Sequence, residues 1–214
     1  MKIGVAITSY NRTELLEETY AKWKALMPKG SVLIVVKDVF GIANAKNLCL
    51  KLLEDEGVTD FFLSDDDCWP ISQDWWAPYV FSNEPHLMYQ FKIPSRGPSD
   101  MKESYRDDKI VSYSHTRGAM LYVKKVVLQT VGGMDRAYGQ AYYEHTDWTN
   151  RIHNAGLTSH RAMDVPGSDQ LFYCLDQDGG VTSSIPDKVK LSSRSGNFAR
   201  YQKSKTSKQF KEYR

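Results

Sequence analysis

The order of apolar runs in the first 65 residues restricts the fold more than any other feature. Residues 2–8 (Lys-Ile-Gly-Val-Ala-Ile-Thr), 31–37 (Ser-Val-Leu-Ile-Val-Val-Lys) and 61–64 (Phe-Phe-Leu-Ser) are short runs rich in β-branched or aromatic side chains. Runs of this kind, bounded by turn residues, predict buried strands. Between them the period changes. Thr13 opens a helical pattern that carries Leu16, Tyr20, Trp23 and Met27 on one stripe, with Glu14, Glu17 and Glu18 in the first turns, and Lys29-Gly30 ends it. Gly41 precedes a second helical pattern, with Ala45, Leu48 and Leu52 as its stripe, ending before Gly57. Strand, helix, strand, helix, strand in this order predicts a parallel α/β half-domain of the nucleotide-binding kind.

In such a sheet, ligands bind at the edge formed by the carboxyl ends of the strands. The three strand ends deliver Thr8, Tyr10 and Arg12, then Asp38, then Asp65-Asp66-Asp67 to that edge. Adjacent carboxylates repel one another unless a cation sits among them. Oxygen-only donors suit a hard divalent ion, Mg²⁺ or Mn²⁺, which keeps positions open for phosphate oxygens. A solvated acidic turn is the competing reading, and the company of Tyr10, Arg12 and Asp38 on the same edge weighs against it. No GxGxxG, Walker loop, EF-hand or HExxH pattern occurs.

Downstream, the pattern predicts a helix around Trp75, Trp76 and Tyr79, a strand over 86–93, and a long polar loop over 94–108 that reads as a lid, a substrate loop or solvated chain. Further strands are expected over 110–114 and 118–123, then a short helix over 124–130 closed by Gly132-Gly133. A helix over 144–155 stops at Gly156 and buries Trp148, Ile152 and Ala155. Glu144, Asp147 and Arg151 lie on a different face. They are either an acidic helix start with an i,i+4 pair or part of a site.

Net charge is only +2, but residues 188–214 hold nine Lys/Arg against one acid, leaving 19 basic and 25 acidic residues in 1–187. This basic tail is expected to be extended or partly disordered. It reads as a contact for an anionic surface, a lid over phosphates or a solubilising extension, and deleting 192–214 is expected to spare ligand binding. The acidic body argues against a nucleic-acid groove. Cys49, Cys68 and Cys174 form no CxxC pair, so neither a disulfide framework nor a zinc site is indicated, and a reducing, cytoplasmic setting is expected. No run of 18 apolar residues offers a transmembrane segment, and the amino-terminal run is too short for a signal peptide.

Seven pieces in order resemble a GT-A-fold glycosyltransferase, closest to inverting glycosyltransferase family 2. They are Val5-Ala-Ile-Thr-Ser-Tyr-Asn-Arg12, the strand ending at Asp38, Gly41-Ile-Ala-Asn-Ala-Lys-Asn47, Phe61-Phe-Leu-Ser-Asp-Asp-Asp-Cys-Trp-Pro70, Gly118-Ala-Met-Leu-Tyr-Val123, Val131-Gly-Gly-Met-Asp135, and Glu144 to Asp147 heading a helix. The resemblance implies a Rossmann-like nucleotide-sugar half over 1–110, a mixed-sheet acceptor half over 111–187 and the basic tail over 188–214. It implies a nucleotide-diphosphosugar donor, UDP favoured, a glycan or other hydroxyl acceptor, and Mn²⁺ or Mg²⁺. Asp38 would hold the base edge, and Thr8, Tyr10 and Asn44 would line the nucleoside site. Asp65 and Asp66 would face ribose and sugar, Arg12 or Lys46 would contact the phosphates, and Asp67 would ligate the metal with Asp65 and His145. The base would be Glu144 or Asp147. The family commonly carries Glu-Asp at this helix start, whereas the second position here is His145. The alternatives are a sugar-nucleotide nucleotidyltransferase, whose Gly-rich phosphate loop is missing after the first strand, and a non-catalytic glycan- or nucleotide-binding module.

Overall fold

The computed structural model describes residues 1–97, 99–179 and 183–214. In chain order its elements are β1 (Ile3–Ser9), α1 (Thr13–Leu26), β2 (Val32–Lys37), α2 (Ile42–Asp55), β3 (Asp60–Asp65), β4 (Cys68–Pro70), α3 (Ala77–Val80) and β5 (His86–Met88). They continue with β6 (Glu103–Arg106), β7 (Val111–Tyr113), β8 (Met120–Lys124), α4 (Lys125–Val131), α5 (Glu144–Asn154), β9 (Ala162–Asp164), β10 (Phe172–Cys174) and α6 (Asp187–Ser204). The main sheet has the order β2-β1-β3-β8-β5. Both neighbours of β1 run parallel to it, and β8 then pairs antiparallel with β3 and with β5. The parallel half-domain is therefore present as the sequence predicts, joined to an antiparallel edge. Two smaller sheets, β4-β10 and β6-β7-β9, complete the mixed α/β architecture.

Side-chain alternation along β3 explains the two-layered core. Phe62 faces Trp23, Trp75, Tyr79 and Tyr122, while Phe61 and Leu63 face Leu50, Leu53, Val127 and Trp148 on the opposite side. Each of these fully buried side chains contributes roughly 1.5–3 kcal/mol by leaving water. The aromatic layer is geometrically specific: Trp23 meets Trp75 edge-on with centroids 4.9 Å apart, and Trp75 meets Phe62 at 4.8 Å.

Three expectations fail. The 94–108 stretch, read as a loop, contains β6, which pairs antiparallel with β7. The strand predicted over 86–93 stops at Met88 because carboxylates replace its ladder: Gln90 N donates to Asp164 Oδ2 (2.7 Å) and Ile93 N to Asp100 Oδ2 (2.8 Å). The tail is not extended. Asp187–Ser204 is a helix, docked by polar and aromatic contacts that an apolar period does not reveal. The Asn197 amide donates to Tyr138 O (2.6 Å) and Ala141 O (2.7 Å), and Tyr201 stacks on Tyr143 at 5.1 Å. The last residues then return to the body. Lys211 pairs with Asp135 (2.9 Å), Arg214 with Glu54 (2.6 Å), and Tyr213 is buried. Two tail cations thus neutralise body acids. Gly132, at φ +69, passes so close to the Lys211 carbonyl that any Cβ would collide with it. Among the described residues, no helix is long and apolar enough to cross a membrane.

Candidate active site

The carboxyl ends of β1, β2 and β3 open into a cleft of about 370 Å³. Thr8, Tyr10, Arg12, Asp65 and Asp67 line it, as the strand ends predict, together with Val39, Gly41 and Ile42. The loops that follow β1 and β2 brace each other there. Asn11 and Asp38 both adopt left-handed backbone, φ +54 and +57, and Asn11 N donates to Asp38 Oδ1 (2.9 Å) while Asp38 N donates to Ser9 O (2.9 Å). Non-glycine residues held in this region mark sites where surrounding structure sustains strain.

The three aspartates occupy three environments. Asp65 is partly exposed, bonded by the Thr8 hydroxyl (3.0 Å) and paired with Lys46 Nζ (2.6 Å). Lys46, which sits on the polar side of the α2 pattern, is 1 % exposed: its charge is spent inside the protein on Asp65. Asp66 points inward, where it accepts from Ser9 Oγ (2.6 Å) and pairs with Arg12. Burial pushes its carboxyl above the usual range despite Ser9 and Arg12. Asp67 accepts from Arg12 Nη1 (3.2 Å). Burial first, then the Asp65 charge, pushes Asp67 up to about 7, only partly countered by Arg12. Asp66 and Asp67, with Asp65, in turn hold Arg12 protonated more firmly than usual, against burial that would lower it.

The charges do not close. Asp65, Asp66 and Asp67 touch two cations, Arg12 and Lys46, while Asp176 on the far wall shares the cleft lining with Arg96 and Lys190. The aspartate cluster is left one cation short, and Asp65 and Asp67 offer hard oxygen donors to a divalent ion. Among the described residues no three His, Cys, Asp or Glu side chains converge on one point. A divalent ion held here would take two carboxylates from the protein and the rest of its ligands from phosphate oxygens and water.

Glu144 starts α5 and is not among the residues that line the cleft. It is buried, and His145 Nδ1 bonds its Oε1 (3.0 Å), while Oε2 has no partner among the described residues. The His145 ring packs on Gly118, where an added Cβ would lie 3.0 Å from it. Gly118 precedes Ala119, whose carbonyl accepts from Asp65 N (2.7 Å). A short chain of contacts therefore links Glu144 to the aspartates. His145 is engaged with Glu144 and is not among the residues that line the cleft.

Asp147 is placed differently. It is 1 % exposed and accepts from Arg151 Nε (2.9 Å), Ser204 Oγ (2.6 Å) and Tyr138 Oη (3.1 Å). The structure thus separates the two acids of the helix start, one half-satisfied and one fully engaged. Asn44 donates to Phe40 O (3.0 Å) at the start of α2 and is not among the cleft-lining residues. His160 stacks on Tyr105 at 4.3 Å in a separate groove of about 640 Å³.

Sequence reasoning missed the cleft's far wall. Arg96, Gln140, Asp176, Ser183, Ser184, Ile185 and Lys190 line it, brought in by the 94–108 loop, the approach to α5 and the first turn of α6. The lid readings of the 94–108 loop and of the basic tail point to such a wall without singling out Arg96, Gln140, Asp176 or Lys190.

No protein-family model matches the chain, and no curated protein matches it. Solved structures do. The catalytic domain of Drosophila β1,4-galactosyltransferase 7 in complex with xylobiose superposes with a TM-score of 0.52 at 16% identity, over 90% of this chain and 79% of that one. A mutant of the same enzyme in complex with manganese, UDP-Gal and xylobiose gives the same figures. With its parallel β2-β1-β3 half, antiparallel edge and carboxylates at the end of β3, the chain has the GT-A fold.

Proposed function

We propose that this protein is an inverting glycosyltransferase that moves a sugar from a nucleotide-diphosphosugar, UDP favoured, to a hydroxyl of a glycan acceptor. The observation that carries the reading is the under-compensated Asp65–Asp67 cluster at the mouth of a nucleotide-sized cleft. Mn²⁺ or Mg²⁺ held by Asp65 and Asp67 would neutralise the charge that develops on the departing nucleoside diphosphate, a contribution of several kcal/mol.

The protein's own groups supply the rest. Tyr10, Val39 and Ile42 give the cleft a flat, partly apolar side suited to a nucleoside. Asp38, which precedes Val39 without itself lining the cleft, would reach the base edge through the carboxylate oxygen that Asn11 leaves free. Arg96 and Lys190 stand on the opposite wall as cations for the diphosphate, and Arg12 adds a third as it exchanges contacts with Asp67. Glu144 is the base. A buried carboxylate oxygen with no partner costs about 1–3 kcal/mol, and an acceptor hydroxyl would satisfy it while giving up its proton. His145 orients Glu144 through Oε1, and Asp147 serves as the scaffold of α5.

Incubation with UDP-sugars and Mn²⁺ tests the reaction class. Transfer or slow hydrolysis should release a nucleoside diphosphate, whereas pyrophosphate release would point to nucleotidyl transfer. Glu144→Gln should keep donor binding and lose at least a hundredfold in turnover, the usual worth of a general base. Unchanged turnover would remove Glu144 from the chemistry.

A further inference from the structure

Cys49, Cys68 and Cys174 are dispersed in the sequence, yet two of them meet. The antiparallel register of β4 and β10 sets Cys174 directly opposite Cys68. The flanking bonds identify the type of pair. Leu175 N donates to Asp67 O (2.9 Å) and Ile71 N to Leu171 O (2.8 Å), so 67/175 and 71/171 are hydrogen-bonded pairs. Bonded and non-bonded pairs alternate along an antiparallel ribbon, which leaves Cys68 and Cys174 in a non-bonded position. The Cys68 carbonyl agrees, since it accepts from Trp23 Nε1 (2.9 Å) and Ser64 Oγ (3.0 Å) rather than from β10. Opposed Cα atoms at such positions lie about 4.5 Å apart, within the range that a disulfide spans. Cys68 and Cys174 lie in the same core layer, and Cys49 belongs to the other.

We propose that Cys68 and Cys174 are a redox pair that closes to a disulfide without rearranging the backbone, and that the bond locks the Asp67 turn to the cleft wall carrying Asp176. The positions make this connection direct. Cys68 follows Asp67 in the chain, Cys174 Sγ lies 4.0 Å from Asp67 Oδ1, and Asp176 sits two residues beyond Cys174 on the cleft lining. The oxidant is a small disulfide of the oxidised-glutathione class. One protein thiolate attacks an oxidant sulfur, the oxidant's S–S bond breaks, and one small thiol leaves. The second protein thiol then displaces the other small thiol as the protein S–S bond forms. The protein gives up two hydrogens and two electrons, and one oxidant disulfide becomes two thiols. Both cysteines are buried, so exchange proceeds through local opening of a ribbon with only three residues in each strand. The bond closes a loop of roughly a hundred residues, long enough to restrict the unfolded chain strongly.

The test uses the full-length protein in glutathione buffers of graded ratio, alkylated and mapped by non-reducing peptide mass. The expected result is one intramolecular link, Cys68 to Cys174, formed under native conditions, with Cys49 alkylated. The oxidised form should melt several degrees above the reduced one, reversibly with dithiothreitol, and amide exchange over 67–70 and 172–176 should slow. Cys174→Ala should abolish the oxidant-dependent shift, and Cys49→Ala should retain it. A link that forms only in denaturant or includes Cys49 would overturn the proposal. So would free thiols at every ratio, or an oxidised form that melts no higher than the reduced one. These readouts are thiol state, melting and exchange, so they are independent of whether sugar transfer occurs.

Discussion

Replacing Arg151 by methionine removes a cation that is 0 % exposed from between α5 and the end of α4. Arg151 holds four partners at once: Asp147 through Nε (2.9 Å), Val131 O (2.8 Å) and Gln209 O (3.5 Å) through Nη1, and Gly133 O through Nη2 (2.6 Å). These bonds tie α5 to the end of α4, against which Lys211 of the returning tail also bonds. Arg151→Met leaves Asp147 as a buried charge without a cation, a loss of about 3–5 kcal/mol. The Gly133 carbonyl loses its Arg151 donor as well, which pushes the figure towards the upper end. Against a typical total stability of about 5–15 kcal/mol this is severe, and it corresponds to a fall in Tm of roughly 10 °C for a chain of this size. Adding Asp147→Asn removes the stranded charge while keeping an acceptor for Tyr138 and Ser204. The double variant should therefore recover much of the loss. Urea unfolding followed by circular dichroism measures both. A single-variant loss under about 1 kcal/mol, or a double variant no better than the single, would refute the claim that the pair is desolvated and mutually dependent. The double variant should also retain sugar transfer if Glu144 is the base.

The remaining expectations concern pH and the tail. The Asp100 carboxyl, though burial alone would raise it, is held down at about 2 from 3.8 by Ile93 N–H and Arg117, so it stabilises the fold above pH about 4 and that contribution, about 2 kcal/mol, is lost as pH falls through 2. Asp100→Asn should flatten stability between pH 2 and 4. Asp67 runs the other way: pushed up to about 7 when folded, it costs stability as pH rises from about 4 to 7. Mn²⁺ should cancel that decline. Asn197→Ala strands the carbonyls of Tyr138 and Ala141 and should cost about 1–3 kcal/mol in thermal or urea unfolding. Removing 192–214, which the sequence alone would tolerate, should instead yield an unstable protein.

What could be read from the sequence followed from period and chemistry. The first three strands and two helices, and the delivery of Asp65–Asp67 to a strand end, needed only β-branched runs, helical stripes and the rule for parallel sheets. What could not be read depended on partners distant in the chain. Lys46 looks like a solvated helix residue until Asp65 is placed against it. Asp147 and Arg151 look like an ordinary exposed pair, and they are buried because the α4 end and the tail cover that face of α5. The helix α6 has no apolar stripe to announce it: Leu191 and Phe198 are exposed, and polar contacts of Asn197, Tyr201 and Ser204 with the stack on Tyr143 hold it. The Cys68–Cys174 pair depends on β10, a strand of three residues too short to be read as a period.

The most direct test of the central claim is a calorimetric titration of UDP into the wild-type protein and into Asp67→Asn, each with and without Mn²⁺ at pH 7.5. The account predicts binding to the wild type that requires Mn²⁺, and its loss in the variant. At a nucleotide concentration of about 100 Kd, the wild-type complex should also gain about 2.7 kcal/mol of stability. UDP binding of equal strength with and without Mn²⁺, undiminished by Asp67→Asn, would contradict it.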